Sequence, residues 1–161
     1  MNQIDHKDIE SIYFKVIYLG LFLNLFIPVA IVCLARFLRS KGVGEHPVSS
    51  LNFLLVVLLA ISAGEILTIY LFKKKLSKES AFLQGTVLAE EWQNSFFRFH
   101  IIIFFLALSP TLYGFIYFIL GGKLAWFLIF GAVTLLCFRI LKPDLDETRE
   151  KFNKINGQAT F

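Results

Sequence analysis

Apolar residues dominate four long stretches of this chain, and short polar or charged segments separate them. The stretches cover residues 16–35, 51–72, 99–120 and 124–141. An α-helix needs about 20 predominantly apolar residues to cross the hydrocarbon core of a bilayer. The pattern therefore predicts an all-α integral membrane protein, with a four-transmembrane-helix bundle that occupies residues 1–161 as a single membrane domain.

The second stretch is the most informative. Residues 51–72 carry one charge, Glu65, and three lysines, Lys73 to Lys75, follow directly. A run of this length that ends in a basic anchor is typical of a transmembrane helix. Glu65 is the only carboxylate that the pattern places deep in the membrane.

The connecting segments differ in length and composition. The Gly-, Pro- and Ser-rich residues 40–50 predict a turn, and residues 121–123 predict a tight hairpin between the last two spans. In the loop at 73–98 we expect either a short helix near 81–88 or an extension of the third span. In the tail at 142–161, Leu145, Thr148, Phe152 and Ile155 recur at helical spacing, which predicts a short amphipathic C-terminal segment.

Composition agrees with a membrane location. Apolar residues make up 57% of the chain, compared with about 45–50% in soluble domains, and the mean hydropathy is +0.68. The excess indicates contact with the lipid bilayer. The net charge is +4. The basic residues lie at the ends of the apolar stretches and form no basic stripe, so no nucleic-acid partner is expected.

The distribution of basic residues predicts the orientation. Four spans place the N-terminus, the 73–98 loop and the C-terminus on one side, which holds twelve of the sixteen Lys and Arg residues; the other side holds Arg36, Arg39, Lys41 and Lys123. The positive-inside rule then puts both termini, the loop and the tail in the cytoplasm. Residues 1–13 are acidic and unlike a secretory signal.

Motifs of soluble enzymes and metal sites are missing from the sequence. The two cysteines and three histidines have no metal-ligand spacing, and no Walker A loop, GxGxxG turn or GxSxG elbow is present. We therefore expect no enzyme activity, no catalytic residues, no metal and no cofactor.

Polar residues of all four spans fall at similar depth. At a rise of about 1.5 Å per residue, five polar residues each lie within about one helical turn of the midpoint of their own span. Glu65 lies roughly 5 Å to the cytoplasmic side. The predicted intramembrane polar site consists of Glu65, Asn24, Ser62, Ser109, Thr111 and Thr134.

Three interpretations of Glu65 remain open. It could bind and release a proton or ion, with Asn24 and the hydroxyls as partners. It could be protonated and hydrogen-bond neighbouring helices together, or it could contact another subunit. An ionised side chain facing lipid is disfavoured, because a charge at the bilayer centre costs about 2.5–3.5 kcal/mol even on lenient scales. Ala60 and Gly64, four residues apart, add a small-residue face suited to close helix packing.

Two short stretches resemble the carboxylate-bearing helix of the proteolipid c subunits of rotary ATPases, which reads E-x-L-x-I-Y-G. They are residues 65–70, EILTIY, and 108–114, LSPTLYG. The second has Leu108 in place of the acid, and the first lies on a span of opposite direction, so no family is assigned.

The ALSPTLYG helix, the Gly-rich turn, the fourth span and the Lys142-Pro143 exit also resemble those of small four-span bacterial inner-membrane proteins. This resemblance implies the architecture and a bacterial cytoplasmic (inner) membrane location, and no activity.

Together these features favour a structural or accessory subunit of a membrane complex, which packs against other membrane proteins or against itself. The alternative is a proton- or ion-coupled channel or transporter component that uses Glu65.

Overall fold

Helices make up almost all of the structure. The computed structural model describes residues 6–44, 49–78, 89–146 and 148–150, and these contain no strand. The elements in chain order are α1 (His6–Leu21), a π turn (Phe22–Phe26), α2 (Ile27–Ser40), α3 (Leu51–Lys78), α4 (Ala89–Ile119) and α5 (Leu124–Leu141). α1, the π turn and α2 follow one another without a break and form a single rod.

The expectation of four apolar helices is confirmed. Four segments are long and apolar enough to span a membrane, with mean hydropathies between 2.0 and 2.5. They are Glu10–Ser40, Leu51–Leu71, Asn94–Ile119 and Leu124–Leu141. The described part of the chain is thus all-helical, with four candidate membrane spans.

The segment predicted as a loop at 73–98 is partly helical. α3 continues to Lys78, and α4 begins at Ala89, which agrees with an extension of the third span. Lysine, glutamate and glutamine are good helix formers, so the helices can continue beyond their apolar segments. The alternative short helix near 81–88 lies outside the described residues, as does most of the predicted amphipathic tail.

α4 lies at the centre of the bundle and contacts all the other helical elements. At one end, buried side chains of the four spans meet in one cluster, which includes Val16, Ile69, Phe104 and Cys137. At the opposite end, Ala35 packs with Phe118 and Phe127, and Leu55 packs with Tyr117 and Phe130. This pairing of early with late residues makes neighbouring spans antiparallel, so the two ends of the described chain share one end of the bundle.

A close approach between α4 and α5 depends on Gly114. A Cβ at this position would lie 2.7 Å from Phe130 Cβ and 3.0 Å from Phe127 Cδ2. The turn that joins the two helices is equally tight, with Gly121 at a φ of 98° and the Gly122 N–H bonded to the Tyr117 carbonyl at 3.0 Å. The predicted hairpin is therefore built from small residues on both the helix and the turn.

The first span contains a local change of helix geometry. Within the π turn, the Ile27 N–H donates to the Phe22 carbonyl, five residues earlier. Pro28 follows directly, and proline supplies no N–H to the preceding turn. The π turn thus adjusts the hydrogen-bond register next to the proline, as π-bulges in long helices commonly do.

At the end of the bundle that holds the N-terminal part of α1, an ion pair joins sequence-distant segments. Arg149 Nη2 binds Glu10 Oε1. Arg149, beyond the end of α5, therefore lies beside α1.

Candidate functional site

Glu65 on α3 is bound by two hydroxyl groups of α4. Ser109 Oγ lies 2.5 Å from Glu65 Oε2, and the Tyr113 hydroxyl donates to Glu65 Oε1 at 2.6 Å. Each carboxyl oxygen therefore has its own partner. The three side chains form what we call the Glu65 cluster, and it joins α3 to α4.

Helical spacing explains why these side chains meet. Ser109 and Tyr113 are four residues apart, so they lie on the same face of α4. On α3, Leu55, Leu58 and Ser62 are buried at spacings of three and four, and Glu65 continues this stripe towards α4. The carboxyl is consequently directed at the neighbouring helix.

Pro110 explains one of the hydrogen bonds that Ser109 forms. Proline at 110 has no N–H, so the Leu106 carbonyl, four residues earlier, loses its normal helical donor. Ser109 Oγ lies 2.6 Å from this carbonyl oxygen and supplies the missing hydrogen bond. Such a bond from serine to its own helix commonly accompanies a proline within a membrane helix.

The hydrogen bonding at Ser109 is compatible with a neutral Glu65. The Ser109 hydroxyl has one hydrogen, yet it lies within 2.6 Å of both Glu65 Oε2 and the Leu106 carbonyl oxygen. Both contacts can be full hydrogen bonds if Oε2 carries a proton and donates to Ser109, which in turn donates to Leu106. A neutral Glu65 satisfies every polar group of the cluster, whereas a carboxylate would leave one short oxygen–oxygen contact without a hydrogen.

The Glu65 cluster lies between α3 and α4, near the outer surface of the bundle. Glu65, Ser109 and Tyr113 are half-buried, while Gly64 and Leu112 beside them are exposed. The cluster is therefore accessible from the side of the bundle.

A second polar contact joins α4 to α5. Thr134 Oγ1 accepts from the Thr111 hydroxyl at 2.9 Å and from the Thr111 backbone N–H at 3.2 Å. Both residues are fully buried. This pair provides a hydrogen-bonded link within the buried core of the bundle.

Asn24 and Ser62 do not join either group. Asn24 lies in the π turn with 0% exposure, and its Nδ2 donates to the Gly20 carbonyl at 3.2 Å. Its Oδ1 and the Ser62 Oγ are buried and have no hydrogen-bond partner among the residues that the structure describes. The six predicted site residues are thus divided among separate places, and Asn24 is not a partner of Glu65.

The sequence-based set omitted Tyr113, whose hydroxyl donates to Glu65 Oε1. Its signal is present in the sequence, because Tyr113 lies one helical turn after Ser109 and therefore shares its face. The role of Pro110 is readable in the same way, from the carbonyl that it leaves without a donor.

The site has no features of a metal centre. Among the described residues, no three His, Cys, Asp or Glu side chains come together in a way that could hold a metal ion. Comparisons with protein families, curated proteins and solved structures give no match.

Proposed function

We propose that this chain is a non-catalytic structural or accessory subunit of a membrane complex. It would lie in a bacterial cytoplasmic membrane with both termini in the cytoplasm, and would pack against other membrane-protein subunits. The proposal is supported by the surface of α3, by the internal pairing of Glu65, and by the small amount of described chain outside the candidate spans.

The observation that carries the proposal is the outward face of α3. Ala60, Ala63 and Gly64 are exposed, and a Cβ built at Gly64 would meet no atom within 4 Å. Helices associate in lipid mainly by close packing, and small residues permit that approach. We call these three residues the α3 small face, and it is the surface that we assign to a partner helix.

The internal pairing of Glu65 supports the same role. Both carboxyl oxygens are engaged by α4, so Glu65 holds α3 in a fixed rotation. The residue directly before it, Gly64, is thereby kept on the outside.

The test is affinity capture from membranes in mild detergent, with quantitative mass spectrometry of the co-purified proteins. We expect at least one membrane protein to co-purify with the wild type and to be lost from Gly64→Leu, because the larger side chain prevents close helix approach. Gly131→Leu is the matched control, since Gly131 on α5 also has no atom within 4 Å of a Cβ position. Equal capture by wild type and Gly64→Leu, or equal loss from both variants, would contradict the proposal.

A second candidate function is a proton-coupled membrane component. The observation that favours it is the position of Glu65 within a candidate span, where Ser109 and Tyr113 hydrogen-bond its carboxyl group. Intramembrane ionisable groups of this kind often belong to proton pathways. Reconstituted liposomes test it directly: proton flux that is present with the wild type and absent with Glu65→Gln would favour this function over the accessory role.

A further inference from the structure

A pocket of about 320 Å³ lies at the end of the bundle where α2 ends and α5 begins. Its lining combines two guanidinium groups with apolar and hydroxyl side chains. The lining residues are Arg36, Arg39, Ser40, Phe118 and Leu124. We call it the arginine pocket, and neither the Glu65 cluster nor the α3 small face includes any of its residues.

Arg39 is held in position by the turn after α2 and by α4. Its Nη1 donates to the Gly44 carbonyl at 2.8 Å, and its guanidinium carbon lies 5.6 Å from the centre of the Phe118 ring. Gly44 has a φ of +80°, and a Cβ there would lie 2.9 Å from the Phe118 carbonyl oxygen. Glycine at 44 therefore allows the turn to lie against α4 and to fix Arg39.

The pocket has an excess of positive charge. Arg36 precedes Arg39 by three residues, so both lie on the same side of α2. Neither arginine forms an ion pair with any of the described acidic residues, and Arg36 has no hydrogen bond to a described residue either. Two neighbouring guanidiniums repel each other, and a bound anion would reduce that repulsion.

The neighbouring groups add to this charge. Lys123, directly before Leu124, is exposed and occupies the N-cap of α5, and it makes no side-chain cap hydrogen bond. The N-terminal end of a helix carries a partial positive charge, which favours anions nearby. The Ser40 hydroxyl donates to the Phe37 carbonyl at 2.7 Å, so the guanidiniums supply the hydrogen bonds to a ligand.

We propose that the arginine pocket binds the phosphate of an anionic phospholipid. Guanidinium groups bind phosphate oxygens in a bidentate manner, and Phe118 and Leu124 provide an apolar wall for the glycerol and the first acyl carbons. The pocket lies where the candidate spans Glu10–Ser40 and Leu124–Leu141 meet at their ends, which is the level of lipid headgroups. This position favours a lipid phosphate over a soluble one.

The test is native mass spectrometry of the purified full chain, titrated with phosphatidylglycerol or with phosphatidylcholine. We expect phosphatidylglycerol to bind more tightly, and Arg36→Gln to weaken its binding by about fivefold, the effect of one basic residue at an anionic membrane surface. Arg36→Lys should weaken it less, because the charge remains while the planar fork is lost. Phosphatidylcholine has the same phosphate, but its choline cation cancels the charge, so its binding should be weaker and should change less in both variants.

Arg98→Gln is the matched control, because Arg98 is an exposed arginine near the opposite end of α4. If Arg36→Gln and Arg98→Gln weaken phosphatidylglycerol binding equally, the attraction is general and the pocket is not a site. Equal affinity for the two lipids would also overturn the proposal. If inorganic phosphate displaces the lipid at comparable concentration, the ligand is a soluble anion and the lipid assignment is wrong.

Discussion

At the scale of single residues, Glu65 works as a hydrogen-bonded link between two helices. Its two oxygens are used by Ser109 and Tyr113 of α4, and the Leu106 carbonyl left without a donor by Pro110 completes the chain of hydrogen bonds. In a medium without water, each of these groups would be costly to leave unpaired. The cluster therefore stabilises the α3–α4 contact.

Glutamine can replace the neutral acid at position 65. In Glu65→Gln the amide N–H can donate to Ser109 and the amide oxygen can accept from Tyr113, so we expect the thermal unfolding midpoint in detergent to stay close to that of the wild type. Glu65→Leu removes both contacts and leaves the Tyr113 hydroxyl without its acceptor, while Ser109 keeps its bond to the Leu106 carbonyl, so we expect a loss of about 1–2 kcal/mol. Equal destabilisation by the two substitutions would show that the ionised form makes the contact.

At the scale of helices, the α4–α5 pair is the most closely packed part of the bundle. Gly114 lets α5 approach α4, and Thr111 and Thr134 hydrogen-bond across the same contact. Close backbone approach combined with interhelical hydrogen bonds is the usual basis of association between membrane helices. α5 is thereby fixed in both distance and rotation.

Alanine at position 114 tests this packing. Its methyl group would overlap Phe130 and Phe127, so Gly114→Ala should destabilise the protein by about 1–3 kcal/mol, the usual cost of overpacking. Gly131→Ala, on a part of α5 with open space, should be neutral or slightly stabilising because alanine favours helix. Thermal unfolding of the two variants in the same detergent measures the difference. Equal unfolding midpoints for the two variants would mean that α4 and α5 are less closely packed than in this structure.

Much of the helical architecture is readable from the sequence, because apolar stretches of about 20 residues have few other solutions in a membrane protein. The polar site is less readable. Depth along each span can be counted, but rotation about each helix axis depends on packing with the neighbours. Glu65 contacts Ser109 because it continues the buried face of α3. Asn24 lies at similar depth, but it hydrogen-bonds within its own helical span.

At the scale of the whole molecule, the four antiparallel spans leave two outward-facing features. They are the α3 small face on the side of the bundle and the arginine pocket at one end. We assign the first to a protein partner and the second to a lipid phosphate. The two surfaces use different helices, so each can be removed without changing the other.

Orientation is tested by cysteine labelling in intact cells. In a background with Cys33→Ala and Cys137→Ala, we expect Ser49→Cys to react with a membrane-impermeant maleimide added outside, because the turn between α2 and α3 faces outward in the proposed topology. Lys142→Cys, after α5, should react only when the membrane is permeabilised. The reverse pattern would place the termini outside and contradict the positive-inside prediction.

The central claim is that Glu65 is a neutral acid that links α3 to α4, and infrared spectroscopy of the reconstituted protein tests it most directly. We expect the wild type at neutral pH to show the C=O band of a protonated carboxyl group, and we expect Glu65→Gln to lose this band. Ser109→Ala should shift the band, because the Glu65 carboxyl then loses its hydrogen-bond acceptor. If the substitution of Glu65 instead removes a carboxylate band and leaves the protonated region unchanged, Glu65 is ionised and the account is wrong.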